Sequence, residues 1–341
     1  MPISSNYFLK RAILALAVVV GVAIVSYVIL MVTPGDPAAK WAGNPRGPGA
    51  SKAIETARQE LGLDQPIYVQ ALNFVIKVLS GNIGISIAYK IPVSRVIYTG
   101  FMSTLELLIV TYAFSAPLGV FLGLYASLRR GSFIDSFVMS LGALLASTPT
   151  FWLATMILTL LLQVGFVPYG RVSPGLLIET GFKPITGFIL LDSLLQRNLV
   201  VFADALIRLI PAALAVSVYP IGALARLVRI LVAEALLEDY VKAAVAWGIK
   251  RSTIIKTFVL RSITPSIVQV AGLSFAYSLV DAMVVEAVFG REGLGSILLD
   301  SLYKSDFRVA IGLIAYLSVF YIVVNTLVDL LQAHIDPRVK L

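Results

Sequence analysis

The stretch Ala12–Val32, AILALAVVVGVAIVSYVILMV, contains no charged residue. A run of this length meets the roughly 20 apolar residues that an α-helix needs to cross a hydrocarbon core about 30 Å thick. It is too long for the apolar core of a signal peptide, and no convincing small-residue cleavage site follows it, so it reads as a retained span. Five more charge-free stretches, Leu107–Leu128, Ser136–Gly170, Leu209–Ala225, Ser262–Val280 and Val309–Val328, approach or exceed the same requirement. An open strand edge in lipid would leave backbone groups unpaired, so all of these runs are expected to be helices. The chain therefore reads as an all-α integral membrane protein with six transmembrane helices. Composition agrees: of 341 residues, 58% are apolar and 13% charged, and the mean hydropathy is +0.91, well outside the soluble globular range.

Basic residues set the expected orientation. With the N-terminus in the cytoplasm, the inner segments hold Lys10, Arg11, Arg129, Arg130, Arg226, Arg229, Lys242, Lys250, Arg251, Lys256, Arg261, Arg338 and Lys340. The two shorter outer loops hold Arg171, Lys183, Arg197, Arg291, Lys304 and Arg308. The long segment 33–100 counts little, because loops beyond about 60 residues translocate largely regardless of charge. Both termini are thus expected to be cytoplasmic in a multi-pass protein of the cell membrane. The net charge of +8 reflects this bias and gives no reason to expect nucleic acid binding. Cysteine is absent, which excludes disulfides and thiolate metal sites, and the single histidine, His334, is too few for a histidine-based metal site.

The organisation is that of a single membrane domain, residues 1–341, with a first outer loop over 33–100 and a core over about 101–335. The loop opens with TPGDPAAKWAGNPRGPGA, too rich in proline and glycine for a regular helix. Ser51 is placed to cap a helix bearing Glu55, Arg58 and Glu60. Gln65–Ser80 reads as an amphipathic helix on the membrane surface. Such a loop either meets an extracytoplasmic partner or covers the bundle. Gly165–Asp204, interrupted by Lys183, Asp192 and Arg197, is too broken for a span, and no internal repeat is evident.

Between the fourth and fifth apolar runs lies Glu238–Leu260, EDYVKAAVAWGIKRSTIIKTFVL. Written as a helix over about 234–248, it places Glu234, Glu238 and Lys242 on one stripe and Leu236, Tyr240, Ala243, Ala244 and Trp247 on another. Glu238 and Lys242 stand in the favourable i,i+4 order. Acidic residues including Asp239 come early, and Gly248 supplies a left-handed stop. A small, flat face at Ala243 and Ala244 suits close approach by a cytoplasmic partner; the alternative is an amphipathic helix lying on lipid or on its own bundle. Among residues near the spans, Glu106, Asp204, Asp281, Glu286 and Asp329 carry carboxylates. All sit close to expected span ends, so solvation at helix ends is the default reading, with pathway lining as the alternative. Asp281 is expected to be paired or to face an aqueous cavity, and Glu286 to hold the following glycine-rich turn by accepting hydrogen bonds from it.

Family-like wording then runs almost end to end: TPGDPA at Thr33–Ala38, ELGLDQP at Glu60–Pro66, STLEL at Ser103–Leu107, RRGSFID at Arg129–Asp135, TPTFW at Thr148–Trp152, EDYVKAA from Glu238, VVEAVFGREGLG at Val284–Gly295 and DPR at Asp336–Arg338. On these residues the chain resembles the permease subunits of dipeptide- and oligopeptide-type ABC importers. The resemblance implies the type I importer fold and a helix that docks in a groove of a separate ATPase subunit. It implies four kinds of partner: a second homologous permease, two ATPase subunits, an extracytoplasmic solute-binding protein and membrane lipid. Glu234, Glu238, Asp239, Tyr240, Lys242, Ala243, Ala244 and Gly248 become the docking residues, and Glu106, Asp281 and Glu286 pathway or gate residues. Against the general importer signature, Lys242 replaces a glutamate and Arg261 a proline, with Phe258 and Leu260 at the later apolar positions. Relatives of this family carry peptides, oligosaccharides or nickel.

Other classes fit less well. No G-x-x-x-x-G-K-[ST] string occurs, so ATP and magnesium are expected on partner subunits and no cofactor on this chain. No H-E-x-x-H occurs either. A secondary transporter or channel is the remaining alternative.

Overall fold

The computed structural model describes residues 5–32 and 34–335. The family-like DPR at 336–338, the inner basic residues Arg338 and Lys340, and Thr33 lie outside the described residues. The described chain is helical, without a named strand. A long helix α1 (Ser5–Val32) is followed by three shorter ones, α2 (Pro37–Trp41), α3 (Ala50–Leu61) and α4 (Ile67–Leu79). Then come α5 (Val93–Leu128), α6 (Phe133–Ser147), α7 (Thr150–Gln163), α8 (Pro174–Thr180), α9 (Ile189–Leu195) and α10 (Leu199–Ala235). After α11 (Asp239–Ala246), one continuous rod is built from α12 (Arg251–Thr253), a π-helical segment (Ile254–Val259) and α13 (Leu260–Val288). Two more helices, α14 (Leu294–Tyr303) and α15 (Phe307–Ile335), complete the bundle.

Among the described residues, five helices are long and apolar enough to cross a membrane: α1, α5, α10, the rod ending in α13, and α15. The expected third span, Ser136–Gly170, is not one helix. It is the pair α6 and α7, bent by 95°, with Pro149 as the extended cap of α7. Proline disfavours helical conformation in the residue before it, and Thr148 is accordingly extended at ψ 125°. The pair still crosses the bundle once. Asp135 at the start of α6 pairs with Arg229 near the end of α10 at 2.7 Å, whereas the loop after α7 accepts hydrogen bonds from Arg208, near the start of α10, at Val167 O and Tyr169 O. The two ends of the pair therefore sit at opposite ends of the bundle, and with the pair taken as one span the described residues make six crossings.

Several spans run past their charge-free cores. α5 begins at Val93, so the outer segment ends before residue 100, and α10 takes in Asp204, Arg208, Arg226, Arg229 and Glu234. α10 is the central helix, packing on α5, α6, α7 and α13. Close approach rests on small residues: a Cβ at Gly123 of α5 would lie 2.5 Å from Ala225 O, and one at Gly222 of α10 would lie 2.5 Å from Gly142 O of α6. Without a hydrophobic driving force between helices in lipid, such close backbone contact supplies much of the packing energy.

At one end of the bundle α2–α4 cover α1 and α15. Trp41, fully buried, lies against the cations of Lys77 and Arg308, 5.6 and 5.1 Å from its ring centre, and Arg308 also pairs with Glu60 at 2.9 Å. The cap of α3 is Gly49 at φ 96° rather than Ser51, which lies inside the first turn. α4 buries Phe74, Val75 and Val78 and leaves Tyr68, Leu72, Ile76 and Leu79 exposed. The opposite end carries α11 and both termini of the described chain, where Arg11 and Tyr7 meet Asp329.

Candidate functional site

α11 is a short helix seated beneath the end of α10. The single helix expected over 234–248 is broken: α10 ends at Ala235 and α11 starts at Asp239. Glu234 therefore belongs to the last turn of α10 and shares no continuous stripe with Glu238 and Lys242. Lys242 meets Asp239 at 2.8 Å, one residue short of the expected Glu238 partner. That hydrogen bond holds the Asp239 carboxyl below its ordinary value. The stop is as the sequence suggests: Gly248 has φ 73°, Ile249 N–H donates to Ala244 O at 3.1 Å and Gly248 N–H to Val245 O at 2.9 Å. These are the two bonds that close a helix with a left-handed residue.

The apolar residues of α11 divide between two faces. Val241 and Ala244 are buried on Val228 and Val232 of α10, Ile254 and Val259 of the π segment, and Ile263 of α13. Full burial of a valine contributes about 1.5–3 kcal/mol, so this contact fixes α11 to the bundle. Ala244 thus faces inward. The outward face holds Ala243, Val245 and Trp247, the last 83% exposed, beside Lys242 and Gly248. Tyr240 donates to Ser262 Oγ at 3.1 Å and ties the start of α11 to α13.

A buried charge cluster lies at the far end of the bundle. Glu106 is not at a helix end: α5 starts at Val93, and Glu106 is 3% exposed. Its Oε2 accepts from Arg171 at 2.8 Å and from Arg291 at 2.9 Å, and Oε1 accepts Leu190 N–H at 2.8 Å. Removing one partner of such a buried pair costs about 3–5 kcal/mol, because the other charge is left stranded. Glu286, fully buried, accepts Gly295 N–H at 3.0 Å. The turn after α13 has to be glycine-rich: a Cβ at Gly293 would lie 2.2 Å from the Glu286 carboxylate, and one at Gly295 would lie 1.9 Å from Met283 O. Thr104 of α5 accepts Leu294 N–H at 3.0 Å and donates to Gly100 O. The α13–α14 turn is thereby seated on α5 from above and on Glu286 from below.

Asp204 and Asp281 have partners as well. Asp204 pairs with Arg208 at 3.0 Å and accepts from Ser173 N at 2.7 Å. Asp281 accepts Thr150 Oγ1–H at 2.9 Å. The solvated-helix-end reading is thus corrected for Glu106 and Glu286, which are buried, and for Asp204 and Asp329, which are paired. Arg171 and Arg291 escaped sequence reading because they stand 65 and 185 residues from Glu106. A glutamate within an apolar helix does carry a signal, since it demands a cation somewhere in the fold.

Two family matches cover most of the chain. Residues 5–106 match the N-terminal component of binding-protein-dependent transport system membrane proteins. Residues 117–341 match the binding-protein-dependent transport system inner membrane component. Among curated relatives, the dipeptide transport system permease protein DppB of Escherichia coli is 32% identical over 337 residues, covering 98% of this chain and 98% of that protein. The probable D,D-dipeptide transport system permease protein DdpB of Escherichia coli is 36% identical, with 94% of each chain covered. The di/tripeptide transport system permease protein DppB of Pseudomonas aeruginosa is 31% identical, with 98% of each covered.

Proposed function

The chain belongs to the binding-protein-dependent transport system inner membrane components, and on that premise we propose how it works as a permease subunit of an ABC importer. It passes peptides or related small solutes, received from a solute-binding protein, through a pathway completed by a second, homologous permease. The end bearing α11 faces the cytoplasm, a reading that the basic residues around it support, and the α2–α4 end faces out. Two ATPase subunits bind ATP and magnesium; this chain contributes no hydrolytic chemistry. When they close on ATP, α11 moves with the groove that holds it, and the bundle alternates between inward- and outward-open arrangements. Glu106 and Glu286 act at the outer end by holding the α13–α14 turn.

The observation that carries this reading is α11 itself, anchored through Val241 and Ala244 yet presenting Ala243 and Trp247 outward. Ala243, Val245 and Trp247 are exposed together on α11, and a contiguous exposed apolar patch supports a partner surface. Ala243→Trp fills the surface where a partner must come close. In the reconstituted complex this variant is expected to lose solute-stimulated ATP hydrolysis while the permease still assembles in the membrane. Parent-like stimulation would refute the docking assignment.

A further inference from the structure

α13 carries one carboxylate that neither the charge cluster nor α11 uses. Asp281 is partly exposed on a spanning helix, and none of the described ion pairs includes it. Its described partner is the Thr150 hydroxyl, 2.9 Å away. Thr150 is the first residue of α7, at the break where α6 and α7 meet at 95°. The N-terminal end of α7, the positive end of its dipole, lies beside the carboxylate. One turn earlier on α13, Ser278 shares a hydrogen bond of 2.9 Å with Tyr112 of α5, so hydroxyls from three helices surround this part of the bundle. A carboxylate on a membrane-spanning helix that has no described cation points by default to a functional site, and in secondary transporters solute sites form at broken helices. Tyr277, Val280 and Val284, exposed on the same rod, supply apolar surface next to the charge.

We propose that Asp281, assisted by Thr150, is a binding site for the ammonium group of a solute in transit, such as the free amino terminus of a peptide. This deepens the reading of the chain as a permease for peptide-like solutes and rests on it. The carboxylate would hold the ammonium loosely, since a deep well in a pathway would trap what it is meant to pass.

The absence of native cysteine makes the site directly testable. With Thr150→Cys in the complete transporter, a cationic methanethiosulfonate is expected to react about tenfold faster than an anionic one of the same size, after correction for their rates with a free thiol; a factor of ten is about 1.4 kcal/mol. Asp281→Asn should abolish that preference. A lysine or arginine of the partner permease seated on Asp281, or a lipid-facing position, would give no cation preference or no reaction, and either result overturns the site. In a second arm, uptake of a dipeptide and of its N-acetylated form is compared with the binding protein saturated by each. Asp281→Asn should slow the free-amine form about tenfold and leave the acetylated form unchanged, with Asp281→Glu retaining most of the rate. Equal effects on both forms, or none on either, would overturn the site while leaving the permease reading intact. Cation preference at Thr150→Cys without uptake of any peptide would support the ammonium site and refute peptides as the cargo.

Discussion

Glu106→Gln isolates the energy of the buried cluster. Glutamine preserves shape and can still accept Leu190 N–H, which lies 2.8 Å from Oε1, but it leaves Arg171 and Arg291 without the anion they share. Arg291 is 1% exposed, so water does not replace that partner. Stranding a buried charge costs about 3–5 kcal/mol. For a chain of 341 residues, an unfolding entropy of about 2.1 cal/mol/K per residue converts this into a fall in Tm of about 4–7 °C. Thermal unfolding of the purified permease, followed by intrinsic fluorescence in one detergent, measures it. Arg291→Met should cost less, because Glu106 keeps Arg171. The double variant should be milder than the two losses added, by about 1 kcal/mol or more, since it removes a stranded charge. A Glu106→Gln melting point within about 1 °C of the parent would refute the argument, as would strict additivity of the two changes.

Other outcomes follow from the same geometry. Single cysteines at Ser51 and Ser252, both exposed, should be labelled by an impermeant thiol reagent from outside and inside sealed cells respectively; outside labelling of Ser252 would invert the proposed topology. Glu286→Gln replaces the fully buried carboxyl that accepts Gly295 N–H and should slow transport about tenfold without loss of assembly, a prediction that near-normal uptake would sink. Asp192 is buried, which pushes its carboxyl up, but bonds from Thr186, Ile185 and Gly187 outweigh this and hold it below its ordinary value. A depressed carboxyl stabilises the fold above its unfolded pKa of about 3.9 and loses that contribution as pH falls through the folded value. Proteolysis of the 181–195 loop should therefore rise on acidification below about pH 4, and Asp192→Asn should show the faster cleavage already at neutral pH.

The spans were legible because lipid imposes a length on every crossing helix, and charge-free runs such as Ala12–Val32 and Val309–Val328 meet it without help from tertiary contacts. Their true ends were not. Glu106 and Arg291 disappear from the surface only because the fold brings them together, and hydropathy counts each as a polar interruption. The charge-free run therefore begins at Leu107, whereas α5 begins at Val93. The break at Pro149 was visible as a residue but not as a bend, since a proline inside a span is often tolerated: Pro117 and Pro211 lie within continuous helices. The stop of α11 at Gly248 was readable because a left-handed residue is a local requirement. Which of its alanines faces outward was not, since that depends on the π segment, whose sequence IIKTFV gives no distinct signal.

That π segment bears on how the two ends of the molecule are joined. α11 rests on Ile254 and Val259, and the same rod continues without interruption from Arg251 to Val288, 38 residues or about 57 Å at helical rise. Along it lie the seat of α11, then Asp281, then Glu286 beneath the α13–α14 turn. One stiff element therefore touches the proposed docking face, the proposed solute site and the buried cluster. A tilt imposed at α11 must displace the far end of the rod unless it is absorbed on the way, and the π segment, with its wider turn, is the place in the rod where the hydrogen-bond register can shift. A rod that yielded there completely would disconnect the ends, whereas one that did not yield at all would tie every motion of α11 to the Glu106 cluster, whose opening costs several kcal/mol. Shortening the segment by deleting Thr257, which is exposed, restores a plain α-helical register and should tighten that tie. The expected result is a permease that assembles and binds its ATPase subunits, which then hydrolyse ATP more slowly, with Glu106→Gln restoring part of the rate. If the deletion left hydrolysis unchanged, or if Glu106→Gln gave no relief, the rod would not be the link between the two ends.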